Sequence, residues 1–147
     1  MARRTGKRPE LAVLLAYAKL ALHDELIESS VPDDSFLSRE LERYFPIELR
    51  EKFPDAVANH RLRREIIATA LSNAIINRGG LAIVSRLVDD TGADAVTISA
   101  AYAASWEVFD LAYLHAGIDA LDNRISGKRQ LDLYAAVQDL IDRKSVV

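Results

Sequence analysis

HRLRREIIATALSNAIINRGG, residues 60–80, is the stretch on which the fold turns. It opens on a basic cluster, becomes apolar, and still carries Thr69, Ser72, Asn73 and Asn77 before a glycine pair. At 100° per residue, Leu62, Ile66, Thr69, Asn73 and Asn77 share one stripe, while Ile67, Leu71, Ala74 and Ile75 take much of the remaining circumference. A helix that is apolar nearly all round is buried nearly all round. An unpartnered buried amide costs about 1–3 kcal/mol, so Thr69, Asn73 and Asn77 are expected to form a buried polar network with loop backbone or neighbouring helices. The pattern continues unbroken from near Ala56 to Arg78, a rod of about 35 Å at 1.5 Å per residue, stopped by Gly79 and Gly80 as left-handed caps.

Outward from this rod the chain reads as helical throughout, because Pro and Gly punctuate helical spacing and almost nothing alternates with period two. Pro9 suits a first helical turn, and Leu11, Leu14, Leu15, Ala18 and Leu22 then recur on one face toward Glu28. Asp33 or Asp34 caps a short helix through Phe36, Leu37, Leu41 and Tyr44, and Pro46 and Pro54 bracket another, IELREKF. Leu81, Val84, Leu87 and Val88 face inward from a helix that Gly92 closes. Asp94 or Thr97 caps the next, through Ile98, Tyr102, Trp106 and Phe109, and Asp110 starts a continuation through Leu111, Leu114, Ile118 and Leu121. Ser126 precedes a last helix with the face Leu131, Tyr134, Val137, Leu140 and Ile141. The expected fold is all-α: a multi-helix orthogonal bundle around a long central helix, with residues 8–147 as one domain and residues 1–7 as a loose basic tail.

Composition narrows the function. With 147 residues, half of them hydrophobic, the chain can build one core. It has no cysteine, which excludes thiol chemistry and suits a reducing cytoplasm. Its apolar runs are interrupted by Lys19 and His23 well before the roughly 20 residues needed to cross a bilayer, so no membrane association is expected. A net charge of −3 offers no general attraction for phosphates.

Individual motifs are weak. Arg61 and Glu65 stand at i,i+4, and Arg61, Arg63 and Arg64 are expected at a solvated or domain-interface end, since cations near a helix N-terminus oppose its dipole. GLAIVSRLVDDTGADAVTISAAYAAS has a helix-turn-helix rhythm, but Asp89, Asp90 and Asp94 would meet phosphates, and Val96 to Ala103 lack base-reading side chains, so no nucleic-acid partner is expected. His115, Asp119 and Asp122 share a helix face, a spacing as common on solvated helices as at metals, and no metal is assigned. His23 beside Asp24 and His60 beside Arg61 are weaker. No nucleophile elbow, phosphate loop, dinucleotide fingerprint or HExxH helix occurs, so no catalytic or cofactor-binding residue is named. A surface strip near Trp106 and Phe109 is a candidate partner contact.

Taken in order, RPELAVLLAYAKLALHDEL, RYFPIELREKF, HRLRREIIATALSNAIINRGG, ALDNRI and QLDLY closely resemble the C-terminal helical region of the large bacterial NAD-specific glutamate dehydrogenases, from about Arg8 to about Leu140. That resemblance implies a fragment of a very long chain which oxidises L-glutamate to 2-oxoglutarate and ammonia with NAD. It also implies that the catalytic and NAD-binding segments lie upstream, so none of their residues transfers to this sequence. The fragment is expected to be inactive and to bind no cofactor, with the upstream catalytic region as partner and homo-oligomer contacts as a further possibility. Ala70 stands where the family often has a larger polar residue. A freestanding helix-turn-helix-like DNA-binding module, or a helical adaptor, is the alternative.

Overall fold

The computed structural model describes residues 7–37 and 39–144. The basic tail expected over residues 1–7 lies outside these up to Gly6, and Lys7 already opens a helix. Among the described residues the elements are α1 (Lys7–Glu28), a 3-10 turn (Val31–Asp33), α2 (Arg39–Tyr44), α3 (Ile47–Lys52), α4 (Pro54–Ala58), α5 (Arg63–Gly79), α6 (Ile83–Thr91), α7 (Ala95–Val108), α8 (Leu111–Asp119) and α9 (Gly127–Lys144). The fold is all-α, as its periodicity requires.

Local chemistry accounts for most boundaries. Asp34 does not start a helix; its Oδ1 accepts the Phe36 and Leu37 amides at 2.7 and 3.2 Å, closing a turn ahead of α2. Asp94 is the N-cap of α7, accepting the Thr97 amide at 2.7 Å. Gly92 ends α6 in the left-handed region with φ +71°. The two glycines after α5 play different parts. Gly80 adopts φ +86°, whereas a Cβ on Gly79 would lie 2.8 Å from the Ile83 side chain, so Gly79 lets α6 pack against the end of α5. Through this joint α5 and α6 meet at 86°.

The long central rod is shorter than its periodicity suggests. The helix breaks over residues 59–62, where the Asn59 side-chain amide donates to the Asp55 carbonyl and the Leu62 amide donates to His60 Nδ1. These side chains offer the backbone a local alternative to helix, and the apolar spacing continues across the break without the helix doing so.

A single apolar cluster forms the core. Leu22 and Leu26 of α1, Leu41 of α2, Ile67, Leu71 and Ile75 of α5, Ile83 and Leu87 of α6, Tyr102 and Trp106 of α7, and Ile141 of α9 all belong to it. Arg64 fastens the centre to the edge: it pairs with Asp33 and donates to the carbonyls of Ile27 and Ser29 at 2.8 and 2.9 Å, at the C-terminal end of α1 where a cation is favoured. Arg86 of α6 likewise pairs with Asp142 of α9. Among the described residues no single helix is long and apolar enough to cross a membrane; α5 and α6 satisfy that composition only jointly, across their bend.

Candidate docking face

α1 is buried at one end only. Leu22 and Leu26 enter the core and Leu15 and Ala18 touch its edge, while Leu11, Val13, Leu14, Tyr17 and Leu20 lie open, Tyr17 at 68% exposure. The expected inward face therefore fails at Leu11 and Leu14, because no described element reaches far enough to cover the first turns of the helix. An open groove of about 370 Å³ runs beside it, lined by Ala16, Lys19, Leu20 and His23 of α1 and by Thr69, Ser72 and Asn73 of α5.

That groove corrects the reading of α5. Thr69 and Asn77 are exposed and Asn73 is half-buried, and none of their side chains makes a hydrogen bond among the described residues. The buried stripe is instead Ile67, Ala68, Leu71, Ser72, Ile75 and Ile76. Neighbours cover that one stripe, so the amides need no internal partner: Asn77 lies in solvent and Asn73 borders the groove beside α1. Only Ser72 turns its hydroxyl inward, donating to the Thr69 carbonyl at 3.2 Å.

The three arginines singled out at the start of α5 separate. Arg61 is exposed and forms no ion pair with Glu65 among the described residues. Arg63 is half-buried, with its Nε enclosed and unpartnered. Arg64 departs from an interface role, since its guanidinium is spent inside the fold on Asp33, Ile27 and Ser29.

A second cluster lies where α2, α5 and α7 meet. Arg43 of α2 forms a fork on Glu107 of α7, with the longer arm at 2.9 Å, and also reaches Glu40 at 2.8 Å. The hydrogen bond from Arg43 holds the Glu107 carboxyl below the ordinary carboxylate range. Arg78 stacks its guanidinium 3.7 Å over the Trp106 ring, and Trp106 continues to His115 at 4.9 Å. Burial, then the nearby Arg78 charge, lowers the His115 pKa. Burial pushes the Tyr102 hydroxyl up to about 12. Sequence spacing missed this cluster because its members come from separate helices; a lone tryptophan beside a glutamate, on a helix otherwise built of small and apolar residues, was the only signal available.

The remaining motifs resolve by geometry. His115 tilts between Trp106 and Tyr134, Asp119 accepts from the Tyr134 hydroxyl, and Asp122 accepts the Asn123 amide at 3.0 Å, so the trio does not converge. Among the described residues no group of three His, Cys, Asp or Glu side chains could hold a metal ion. α7 buries Ile98, Ser99, Tyr102, Ser105 and Trp106 and carries no Arg, Lys, Asn or Gln. Trp106 belongs to the core rather than to a surface strip, although Val108, Phe109 and Tyr113 beside it are exposed.

Comparison with known proteins gives a consistent result. The family described as glutamate dehydrogenase, C-terminal, matches residues 6–146. The NAD-specific glutamate dehydrogenase of Halomonas elongata is 40% identical over 137 residues, covering 93% of this chain and 8% of that protein. Those of Pseudomonas aeruginosa and Mycobacterium tuberculosis are 41% and 34% identical, covering 86% and 92% of this chain and again 8% of each protein. The chain thus spans about 8% of the length of the curated relatives it matches.

Proposed function

This chain belongs to the glutamate dehydrogenase C-terminal family, and from that premise we propose that residues 8–147 act as one non-catalytic helical unit of a long NAD-dependent glutamate dehydrogenase. In this reading the oxidation of L-glutamate to 2-oxoglutarate and ammonia, and the NAD that accepts the hydride, belong to the preceding polypeptide. The helical unit docks on that polypeptide and holds it in place. A cysteine-free sequence suits such an enzyme working in the reducing cytoplasm.

The observation that carries the reading is the bare half of α1. Leu11, Val13, Leu14, Tyr17 and Leu20 make a contiguous apolar face beside the outward amide of Asn73, an apolar patch with polar groups at its edge, as interaction surfaces have. A second copy of the enzyme is the competing occupant.

Hydrogen exchange tests the proposal. Backbone amides of residues 10–20 should exchange markedly more slowly in the full-length enzyme than in the 147-residue chain, and Leu14→Glu with Tyr17→Glu should abolish that protection. Equal exchange in the two settings would refute docking, and protection that disappears on dilution with a halving of particle mass would assign the face to a second copy. The 147-residue chain should show neither glutamate-dependent NAD reduction nor heat of NAD binding; micromolar NAD affinity would contradict the non-catalytic assignment.

A further inference from the structure

The cleft between α2, α5 and α7 is independent of the docking face. Its walls are largely apolar, from Leu37, Leu71, Ile75 and Ala103, and solvent can fill about 20 Å³ of it, enough for one water-sized group. The rim is charged in an unbalanced way. Arg39, Arg43 and Arg78 stand around Glu40 and Glu107, and Arg43 takes up both carboxylates by hydrogen bonds. Arg39 only approaches Glu107, at 4.0 Å, and Arg78 is attracted by Glu40 and Glu107 without forming an ion pair with either among the described residues.

Arg78 is held in place all the same. Trp106 covers one face of its guanidinium at 3.7 Å, which fixes the plane of the fork and leaves its N–H donors to solvent. Partial burial lowers its pKa against the opposing pull of Tyr102, Glu40 and Glu107, and the residue still reaches solvent. The same cleft contains Tyr102, 1% exposed, whose hydroxyl is enclosed and without a hydrogen-bond partner. Donors left to solvent at a net positive rim, above an enclosed hydroxyl without a partner, suit an acceptor that brings one negative charge.

We propose that this cleft is a carboxylate-binding site, with Arg78, pinned on Trp106, as the principal anion contact and Arg39 as a second. One carboxylate neutralises the surplus charge, and one of its oxygens fits the narrow interior that holds the Tyr102 hydroxyl, with its carbon chain left outward. The carboxylate comes either from a free short-chain acid or from an Asp or Glu side chain of another polypeptide segment; the recognising chemistry is the same.

Trp106 is the sole tryptophan and lines the cleft, so its fluorescence reports occupancy directly. Sodium butanoate at millimolar concentration should change that emission saturably in the 147-residue chain, whereas butanol, butylamine and sodium chloride should not. A capped tripeptide, acetyl-Leu-Asp-Leu-amide, tests the second source. Saturation by butanoate alone assigns a free acid, and tighter saturation by the peptide assigns a polypeptide carboxylate. Arg78→Gln should weaken binding at least tenfold, and Arg39→Gln, on the exposed rim, several-fold; the latter decides the matter if the former does not fold. No saturable response to either probe, an equal response to chloride, or affinity unchanged in both variants would overturn the site.

Discussion

α1 and α7 are both rich in apolar residues, chiefly leucine and alanine in α1 and alanine in α7, yet they meet opposite fates. α7 buries Ile98, Ser99, Tyr102, Ser105 and Trp106, and α1, although longer, buries only Leu22 and Leu26 near its end. Apolar composition therefore does not define the core here; the placement of neighbours does. α7 is flanked by α5, α6, α8 and α9, whereas α1 packs chiefly on α5 and leaves the outer side of its first half uncovered among the described residues.

The comparison is broken most severely at Leu26. Leu26→Ala, at 0% exposure, should lower stability by about 2–5 kcal/mol, while Leu14→Ala on the open half should stay within about 0.5 kcal/mol, both measured by urea unfolding of the 147-residue chain. Similar losses at the two positions would mean that α1 is covered throughout in solution. Next comes the attachment of α1: Arg64→Gln removes the bonds to Asp33, Ile27 and Ser29 and should cost about 1–2 kcal/mol in the same assay, because the pair is partly exposed.

On the α7 side the effects are smaller and differ in sign. Tyr102→Phe deletes an enclosed hydroxyl that has no partner, so stability should be unchanged or rise by up to about 1 kcal/mol; a clear loss would reveal a bound water or ligand on that oxygen. Glu107 makes the pH dependence local. Its folded carboxyl titrates below the ordinary value of 4.5, so its contribution is present above that pH and is lost as pH falls through 4.5 toward the lower folded value. Glu107→Gln should flatten that acid limb without altering the neutral-to-alkaline range, as read by thermal unfolding against pH.

Most helices were legible in the sequence because spacing and caps act locally: Asp94, Gly92, Pro46 and the Gly79-Gly80 stop all lie at or beside the ends they predict. Two failures share one cause. The exposure of Leu11 and Leu14 and the placement of Asn73 and Asn77 depend on which neighbours are present, and periodicity is silent on that, whereas the break over residues 59–62 comes from the local bonds of Asn59 and His60. Polar residues on an otherwise apolar helix were taken to need partners inside the fold, when the missing neighbour had left them in water. The Arg43–Glu107 fork and the Arg78–Trp106 stack were invisible for a related reason, since they join residues far apart in the chain.

The one-sided fastening of α1 has a mechanical consequence. Its fixed end is the Leu22 and Leu26 anchor together with the Arg64 bonds, and its tip, near Leu11, extends about 15 Å beyond Leu22 at 1.5 Å per residue. A load resting on Leu14 and Tyr17 thus acts on a lever whose fulcrum is that anchor. Tilting it pulls on the guanidinium in the first turn of α5, so torque applied at the rim arrives at the middle of the bundle.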